Sequence, residues 1–349
     1  MKSDRSYRFA DLLADLLDRR SLSAEQMRAL WLKLLEDNLS DLQIAAVLIA
    51  LRVKGETAEE LASAASVMRE NMLRLDTGRD DVLDTCGIGG KPAGMVNIST
   101  AAALVVAGAG VPVVKHGNRS MTGPTGSADA LSALGVAIDG GPEIARRSLS
   151  QCGLAFCFAP TFHPAWARIG QIRRHLGVRT TFNLLGPLAN PAAAAFQLLG
   201  VSRPELLDPM AGALRQLGTR RALVVCSSDG LDEISLSAAT QVRHIHDGQI
   251  TSSEWTCRDF GLEPCSLADL RVHDSNDSAA RIQQVLRGQD GAMTRTVLAN
   301  AAAALWLVDR VPTPAAGVAM AAASIRSGQA AMVLDRLIAC SQETEILTA

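Results

Sequence analysis

At 349 residues and 48% apolar content, the chain is long enough for a substantial core and for two domains. A formal net charge of −2 and only 3% aromatic residues argue against a protein devoted to nucleic acid or an anionic membrane, and favour a small-molecule partner. No apolar run reaches the roughly twenty residues of a membrane span, and no N-terminal targeting pattern stands out. Seven cysteines (Cys86, Cys152, Cys157, Cys226, Cys257, Cys265, Cys340) are scattered without a Cys-x-x-Cys pair. They read as reduced, mostly buried thiols in a cytoplasmic protein.

Helices come first. Phe9–Leu17 repeats apolar residues at three and four. Ser23 with Gln26, Ser40 with Gln43 and Thr57 with Glu60 are three capping boxes, each followed by a helical pattern. Lys54-Gly55 breaks the third helix, and the fourth is expected to run to about Leu75. The four form a small all-α unit.

From Val82 the pattern changes to short Val/Ile-rich runs alternating with helices. Val82–Cys86, Val111–Lys115, Leu154–Phe158 and Ala222–Ser228 are expected strands of a mostly parallel sheet, which makes the larger part of the chain α/β. Ligands of such sheets gather beyond the strands' carboxyl ends. His163-Pro164 opens a helix ending near Gly177. Its Arg168, Arg173 and Arg174, with Arg179 beyond it, read as a basic face toward an anionic ligand or as solvated surface. After Gly291 the chain returns to helix through Val297–Leu305.

The stretch from Asp84 to Thr100 is the organising feature: a strand end, a glycine-rich loop and the polar first turn of a helix. Gly87, Gly89, Gly90 and Gly94 let backbone N–H groups approach a ligand, and Asn97, Ser99 and Thr100 add donors where a helix N-terminus seats an anion. The alternative is a glycine-rich turn with an ordinary cap. Lys91 is followed by Pro92 rather than Ser or Thr, which excludes a P-loop, and the spacing does not fit a dinucleotide fingerprint. Lys115-His-Gly-Asn-Arg119, at another strand's carboxyl end, offers charge-assisted bonds to carboxylate and phosphate oxygens. Ser120–Ser127 has the composition of a lid. Asp232-Glu233 is either a pair of solvated acids or a partial Mg²⁺ site completed by substrate phosphates.

In order along the chain, Gly87-Ile-Gly-Gly90, Asn97-Ile-Ser-Thr100, Lys115-His-Gly-Asn-Arg119, Gly126-Ser-Ala-Asp129, His163-Pro-Ala165, Leu176-Gly-Val-Arg-Thr180, Phe182-Asn-Leu-Leu-Gly-Pro-Leu-Ala-Asn-Pro191 and Gly230-Leu-Asp-Glu-Ile-Ser235 resemble the anthranilate phosphoribosyltransferase family. Ser40–Gln43, Lys54–Thr57 and Asp259–Pro264 extend the likeness over nearly the whole chain. The resemblance implies a helical domain, 1–78, completed by helices within about 164–190. It implies an α/β phosphoribosyl-binding domain, 79–163 and 191–349, a hinge between the two, and a homodimer formed through the helices.

It also implies transfer of phosphoribosyl from phosphoribosyl pyrophosphate (PRPP) to the amine of anthranilate, in tryptophan biosynthesis, with Mg²⁺. By the same likeness Gly87, Gly90, Lys91, Asn97, Ser99, Thr100, Lys115 and Ser127 hold PRPP. Gly87, His116, Asn118 and Arg173 face anthranilate, while Ser99, Asp232 and Glu233 serve the metal. The family's loop runs Gly-Thr-Gly-Gly-Asp-Gly. Here Ile88 replaces the threonine, Lys91-Pro92 the acid and glycine, Met95 a hydroxyl residue and Pro124 a lysine. The remaining readings are a paralogue acting on another aromatic or heterocyclic acceptor, a pyrimidine-nucleoside phosphorylase of the same fold, whose lysine-loop pattern differs from Lys115–Arg119, and a non-catalytic binder of a ligand or of nucleic acid.

Overall fold

The computed structural model describes residues 7–36, 38–89, 94–120 and 123–343. Four helices open the chain: α1 (Phe9–Leu17), α2 (Ala24–Leu35), α3 (Asp41–Lys54) and α4 (Ala58–Glu70). The capping boxes of α2, α3 and α4 all form, with the hydroxyl of Ser23, Ser40 or Thr57 accepting the backbone N–H three residues on. α4 stops at Glu70 rather than near Leu75. Beyond it the N–H groups of Leu73 and Leu75 donate to the Phe162 and Pro191 carbonyls, so these residues exchange helical bonds for tertiary ones.

The rest alternates strand and helix. In order it runs β1 (Leu83–Gly87), α5 (Ile98–Gly108), β2 (Val113–Gly117), α6 (Ser127–Ala133), α7 (Pro142–Cys152), β3 (Leu154–Phe158), α8 (Ala159–Phe162), α9 (Ala167–Leu176), α10 (Phe182–Leu188) and β4 (Phe196–Gly200). Then come α11 (Leu207–Gln216), β5 (Arg221–Ser227), β6 (Thr240–His246), β7 (Gln249–Trp255), α12 (Ser275–Leu286), α13 (Ala292–Leu307), α14 (Pro314–Arg326) and α15 (Gln329–Gln342). The helix expected from Pro164 begins as a 3-10 turn over Pro164–Trp166 before α9, and Gly177 ends it in the left-handed conformation.

The sheet has seven strands in the order β3-β2-β1-β4-β5-β6-β7. β1 to β5 are parallel and β6 and β7 add an antiparallel edge. This is the expected α/β class, a helical region plus a larger part built on a mostly parallel sheet. Three strands, β4, β6 and β7, lie outside the expected set.

Two large apolar clusters, with a smaller third one around Val114 and Phe162, make up the core of the described residues. One packs α5, α13 and α15 against one sheet face. The other joins α1–α4 with α9, α10 and α11, so that Trp31 of α2 stacks on Phe182 of α10 at 5.7 Å between ring centroids. All seven cysteines are free, and five are buried. Among the described residues no helix is long and apolar enough to cross a membrane.

One consequence of the strand order positions everything below. From β1 the chain moves outward to β2 and β3, then returns to the other side of β1 as β4. The sheet therefore reverses between β1 and β4, whose last residues, Gly87 and Gly200, are register partners. A crevice opens beyond the carboxyl ends at such a point.

Candidate active site

Asp232 crosses that crevice. A Cβ on Gly200 would overlap the Asp232 carbonyl oxygen, and one on Gly87 would overlap its Oδ2, so both strand ends must be glycine for the segment to lie where it does. Asp232 is 2% exposed. Its Oδ2 accepts the Gly89 N–H at 2.9 Å, whereas its Oδ1 is buried with no hydrogen-bond partner. Glu233, 4% exposed, turns the other way and accepts the Ser99 N–H at 3.2 Å. From behind, Asn300 of α13 both accepts the Ile234 N–H and donates to the Ile234 carbonyl. The two acids are thus buried and fixed, not solvated.

The first turn of α5 gathers the remaining polar groups. Ser99 Oγ accepts from the Lys115 ammonium at 3.2 Å, and Lys115, only 3% exposed, also donates to the Thr85 carbonyl. Ser99 therefore lies between a buried cation and a buried acid. Thr100 Oγ1 is buried without a partner. Asn97 stands at the N-cap position without capping the helix. Its Oδ1 accepts instead from Thr125 at 2.8 Å and from Ser278 at 2.7 Å, which ties the end of the Ser120–Ser127 loop to α5 and α12. Ser127 opens α6, its hydroxyl donating to the Asn118 carbonyl at 3.4 Å. Gly90 and Lys91 lie outside the described residues.

On the next strand His116 is buried. Its Nδ1 is 2.9 Å from the Gly186 carbonyl, which puts the proton on Nδ1 and leaves Nε2, buried and unpartnered, as a lone pair. Burial first, then the neighbouring His163 ring at 5.0 Å, push the His116 pKa down to about 3. His163 falls to about 4 by burial. Both rings are neutral at physiological pH.

Arg173 donates to Asn183 Oδ1 at 3.3 Å and lies over the Phe182 ring at 5.4 Å; burial lowers its pKa to about 10, so it stays a cation. Asn118, two residues after His116, is exposed, and its Oδ1 accepts the Arg119 N–H. Of the other arginines, Arg168 is spent on Asp41 and the Leu39 carbonyl, fastening α9 to α3, and Arg174 is exposed.

The residues suit a Mg²⁺ ion bound together with phosphate. Among the described residues no three His, Cys, Asp or Glu side chains come together as a complete metal site. Asp232 nevertheless keeps an orphaned buried carboxylate oxygen, and the adjacent Glu233 reaches the Ser99 N–H; two carboxylates and a hydroxyl are the kind of small donor set that Mg²⁺ completes with phosphate oxygens and water.

The comparisons with known proteins are consistent over the whole chain. Residues 79–331 match the profile described as "Glycosyl transferase family, a/b domain", and 10–72 match its "helical bundle domain". The anthranilate phosphoribosyltransferase of Rhizobium johnstonii is 44% identical over 333 residues, covering 95% of this chain and 98% of the relative. The chain belongs to the anthranilate phosphoribosyltransferase family. Among solved structures, the family member from Thermus thermophilus superposes with a TM-score of 0.89 at 37% identity, covering 95% of this chain and all of that one. The Saccharomyces cerevisiae enzyme, 26% identical, was solved with PRPP and Mg (TM-score 0.87, 95% and 97% covered) and with 4-fluoroanthranilate (TM-score 0.84, 97% and 99% covered).

Two of the departures from the family's loop are absorbed by packing. Ile88 is 6% exposed within the apolar cluster shared with α11, and Met95 is 1% exposed in the other cluster. Their side chains serve the core where the family's loop carries hydroxyls. Pro124 is exposed.

The sequence carried no signal for Gly200 or Asn300, and Asp84 and Asn190 stood in its motifs without an assigned role. Asp84 is fully buried; its Oδ2 accepts from Asn190 at 2.9 Å and its Oδ1 accepts the His116 N–H at 3.4 Å. Burial pushes its pKa up to about 6, against the pull of Lys115.

Gly200→Ala is expected to lose about 1–3 kcal/mol of stability through overpacking, whereas Gly170→Ala, in α9 with nothing near its Cβ, should be neutral or stabilising. Equal denaturation midpoints for the two variants would contradict the tight seat of Asp232. For Asp84 the folded pKa lies above the unfolded one, so its contribution is fully present below pH 3.8 and is lost as pH rises through about 6. Asp84→Asn gives up one of the two accepted hydrogen bonds at every pH, but relative to the parent it should gain on the order of 2–3 kcal/mol between pH 4 and pH 7; a pH-independent difference would refute that linkage.

Proposed function

We propose that the protein transfers the phosphoribosyl group of PRPP to the amino nitrogen of anthranilate, releasing pyrophosphate, as a step of tryptophan biosynthesis. The observation that carries this reading is the meeting of a buried acidic couple, a glycine-rich strand end and a buried lysine at the one point where the sheet reverses, in a chain of this family.

In the proposed reaction the bond from ribose C1 to the pyrophosphate oxygen breaks as the bond from C1 to nitrogen forms, and the nitrogen then loses a proton to the departing pyrophosphate or to water. The leaving group gains negative charge while the ring passes through a cationic form. Gly87, Gly90, Asn97, Ser99, Thr100 and Ser127 would offer N–H and hydroxyl donors to PRPP, with Lys115 and Lys91 as cations. Such preorganised donors stabilise charge where it develops. Ser99, Asp232 and Glu233 would hold Mg²⁺, which when bound offsets negative charge on the diphosphate.

Gly87, His116, Asn118 and Arg173 would receive the acceptor. Arg173 supplies a cation for the carboxylate in a partly desolvated setting, where charge-assisted bonds are strongest. His116 Nε2, a neutral lone pair, would accept a hydrogen bond from the aromatic amine and orient it. With its pKa near 3 it is too weak a base to remove a proton beforehand. None is needed, because an aniline nitrogen is uncharged and nucleophilic at neutral pH. No residue is assigned as a covalent nucleophile.

The helical part, 1–78 with 164–190, would close on the α/β part, 79–163 and 191–349, to align the amine with C1 and exclude water. Leu17, Leu42 and Val53, exposed by 66%, 83% and 64% on the outer side of α1 and α3, support a homodimer through this part. The free thiols support a cytoplasmic setting.

With PRPP and Mg²⁺, the purified protein should consume the fluorescence of anthranilate. Arg173→Ala should raise KM for anthranilate by about ten- to a hundredfold with a smaller change in kcat. Glu233→Ala should lower kcat by about ten- to a hundredfold and raise the Mg²⁺ requirement. Parent-like kinetics in both variants would contradict these roles.

A further inference from the structure

Arg179 belongs to neither the donor set nor the acceptor set above, yet it touches the glycine-rich loop. Its Nη1 donates to the Gly89 carbonyl at 2.9 Å. The N–H of the same glycine donates to Asp232 Oδ2, also at 2.9 Å. Gly89 has φ +71, a conformation side chains rarely adopt, and a Cβ there would come within 3.1 Å of Arg179 Nη2. One loop residue thus has both its peptide groups gripped by opposite charges. The acid comes from the segment after β5, the guanidinium from the stretch between α9 and α10.

Both grips are charge-assisted and partly buried, which makes them stronger than neutral backbone bonds. Burial lowers the Arg179 pKa; Asp232 favours its charged form, while Arg203, just after β4, and Arg52 of α3 oppose it. Arg179 also follows Arg173 by only six positions on one stretch of chain.

We propose that Arg179 is a positioning residue that clamps the Gly89 peptide and so couples the α9–α10 stretch to the donor loop. The proposal rests on the reading of this site as a PRPP site. Without the guanidinium the Gly89 carbonyl loses its charged partner, and only the preceding peptide group, held at its N–H by Asp232, stays anchored. Donor binding suffers and acceptor binding does not.

The test uses the full chain as Arg179→Gln and Arg179→Lys, with two readouts. The first is hydrogen exchange of the peptide containing Gly89; the second is KM for PRPP and for anthranilate in the presence of Mg²⁺. Arg179→Gln should speed exchange around Gly89 but not in β5, and should raise KM for PRPP about tenfold while KM for anthranilate stays near the parent's. Arg179→Lys, which keeps one charged donor, should recover part of both. Parent-like exchange and KM for PRPP in the Gln variant, or a rise confined to KM for anthranilate, would overturn the clamp. Should the Gln variant not fold, the Lys variant is judged by the same two readouts. If the parent itself turns over no anthranilate, the functional reading fails and the exchange result alone decides the clamp.

Discussion

Asp232 sits over two facing glycines, and the geometry of the whole site follows from that seat. Gly87 and Gly200 end neighbouring parallel strands in register, and their missing side chains leave room for one crossing backbone. With the segment lowered into that room and bound from behind by Asn300, Asp232 meets Gly89 and Glu233 meets Ser99. Ser99 in turn receives Lys115 from β2. Acid, hydroxyl and cation are brought together by strand order rather than by sequence proximity. Burial raises the cost of leaving any of them uncompensated, which is a reason for the site to favour a charged ligand and a counterion together.

A second set of buried polar contacts fixes how the helical part meets the sheet. His116 of β2 bonds the Gly186 carbonyl, Gln197 of β4 donates to the Pro187 carbonyl at 2.7 Å, and Asn190 donates to Asp84 of β1. From the helical side Arg69 of α4 donates to the Leu188 carbonyl at 2.7 Å. Residues 186–190 are therefore held by side chains from three adjacent strands and one helix. An orphaned buried partner costs about 1–3 kcal/mol, so these contacts break together or not at all. The orientation of His116 is tied to this seam, which gives a motion of the helical part a direct mechanical route to the acceptor-facing ring.

Much of the architecture was legible because its signals are local. Ser23, Ser40 and Thr57 cap their helices through residues three positions away, and such boxes read directly from sequence. The end of α4 was not legible, since Leu73 and Leu75 take partners about 90 and more than 110 positions distant. β4 is a short apolar run among alanines, with no alternation to distinguish it from helix. The β6–β7 hairpin did carry a signal that went unused: Asp247-Gly248, both at positive φ, is a two-residue turn matching the twist of antiparallel strands.

In the site, family likeness pointed to Asp232 and Glu233 where the dipeptide alone did not, because Gly89 lies 143 positions from Asp232. Gly200 carried no local signal for its contact with Asp232, and Arg179 read only as one of several basic residues because its partner Gly89 lies 90 positions away. Ile88 and Met95 looked like losses to the donor loop, and only burial shows that both side chains serve the core.

The most direct test of the account is calorimetric titration of PRPP into parent and Asp232→Asn protein, each with and without Mg²⁺. The account predicts that Mg²⁺ strengthens PRPP binding to the parent, and that the Asn variant, which keeps the shape but loses the carboxylate charge, loses most of that enhancement. Equal Mg²⁺-dependent affinity in the two proteins would contradict it.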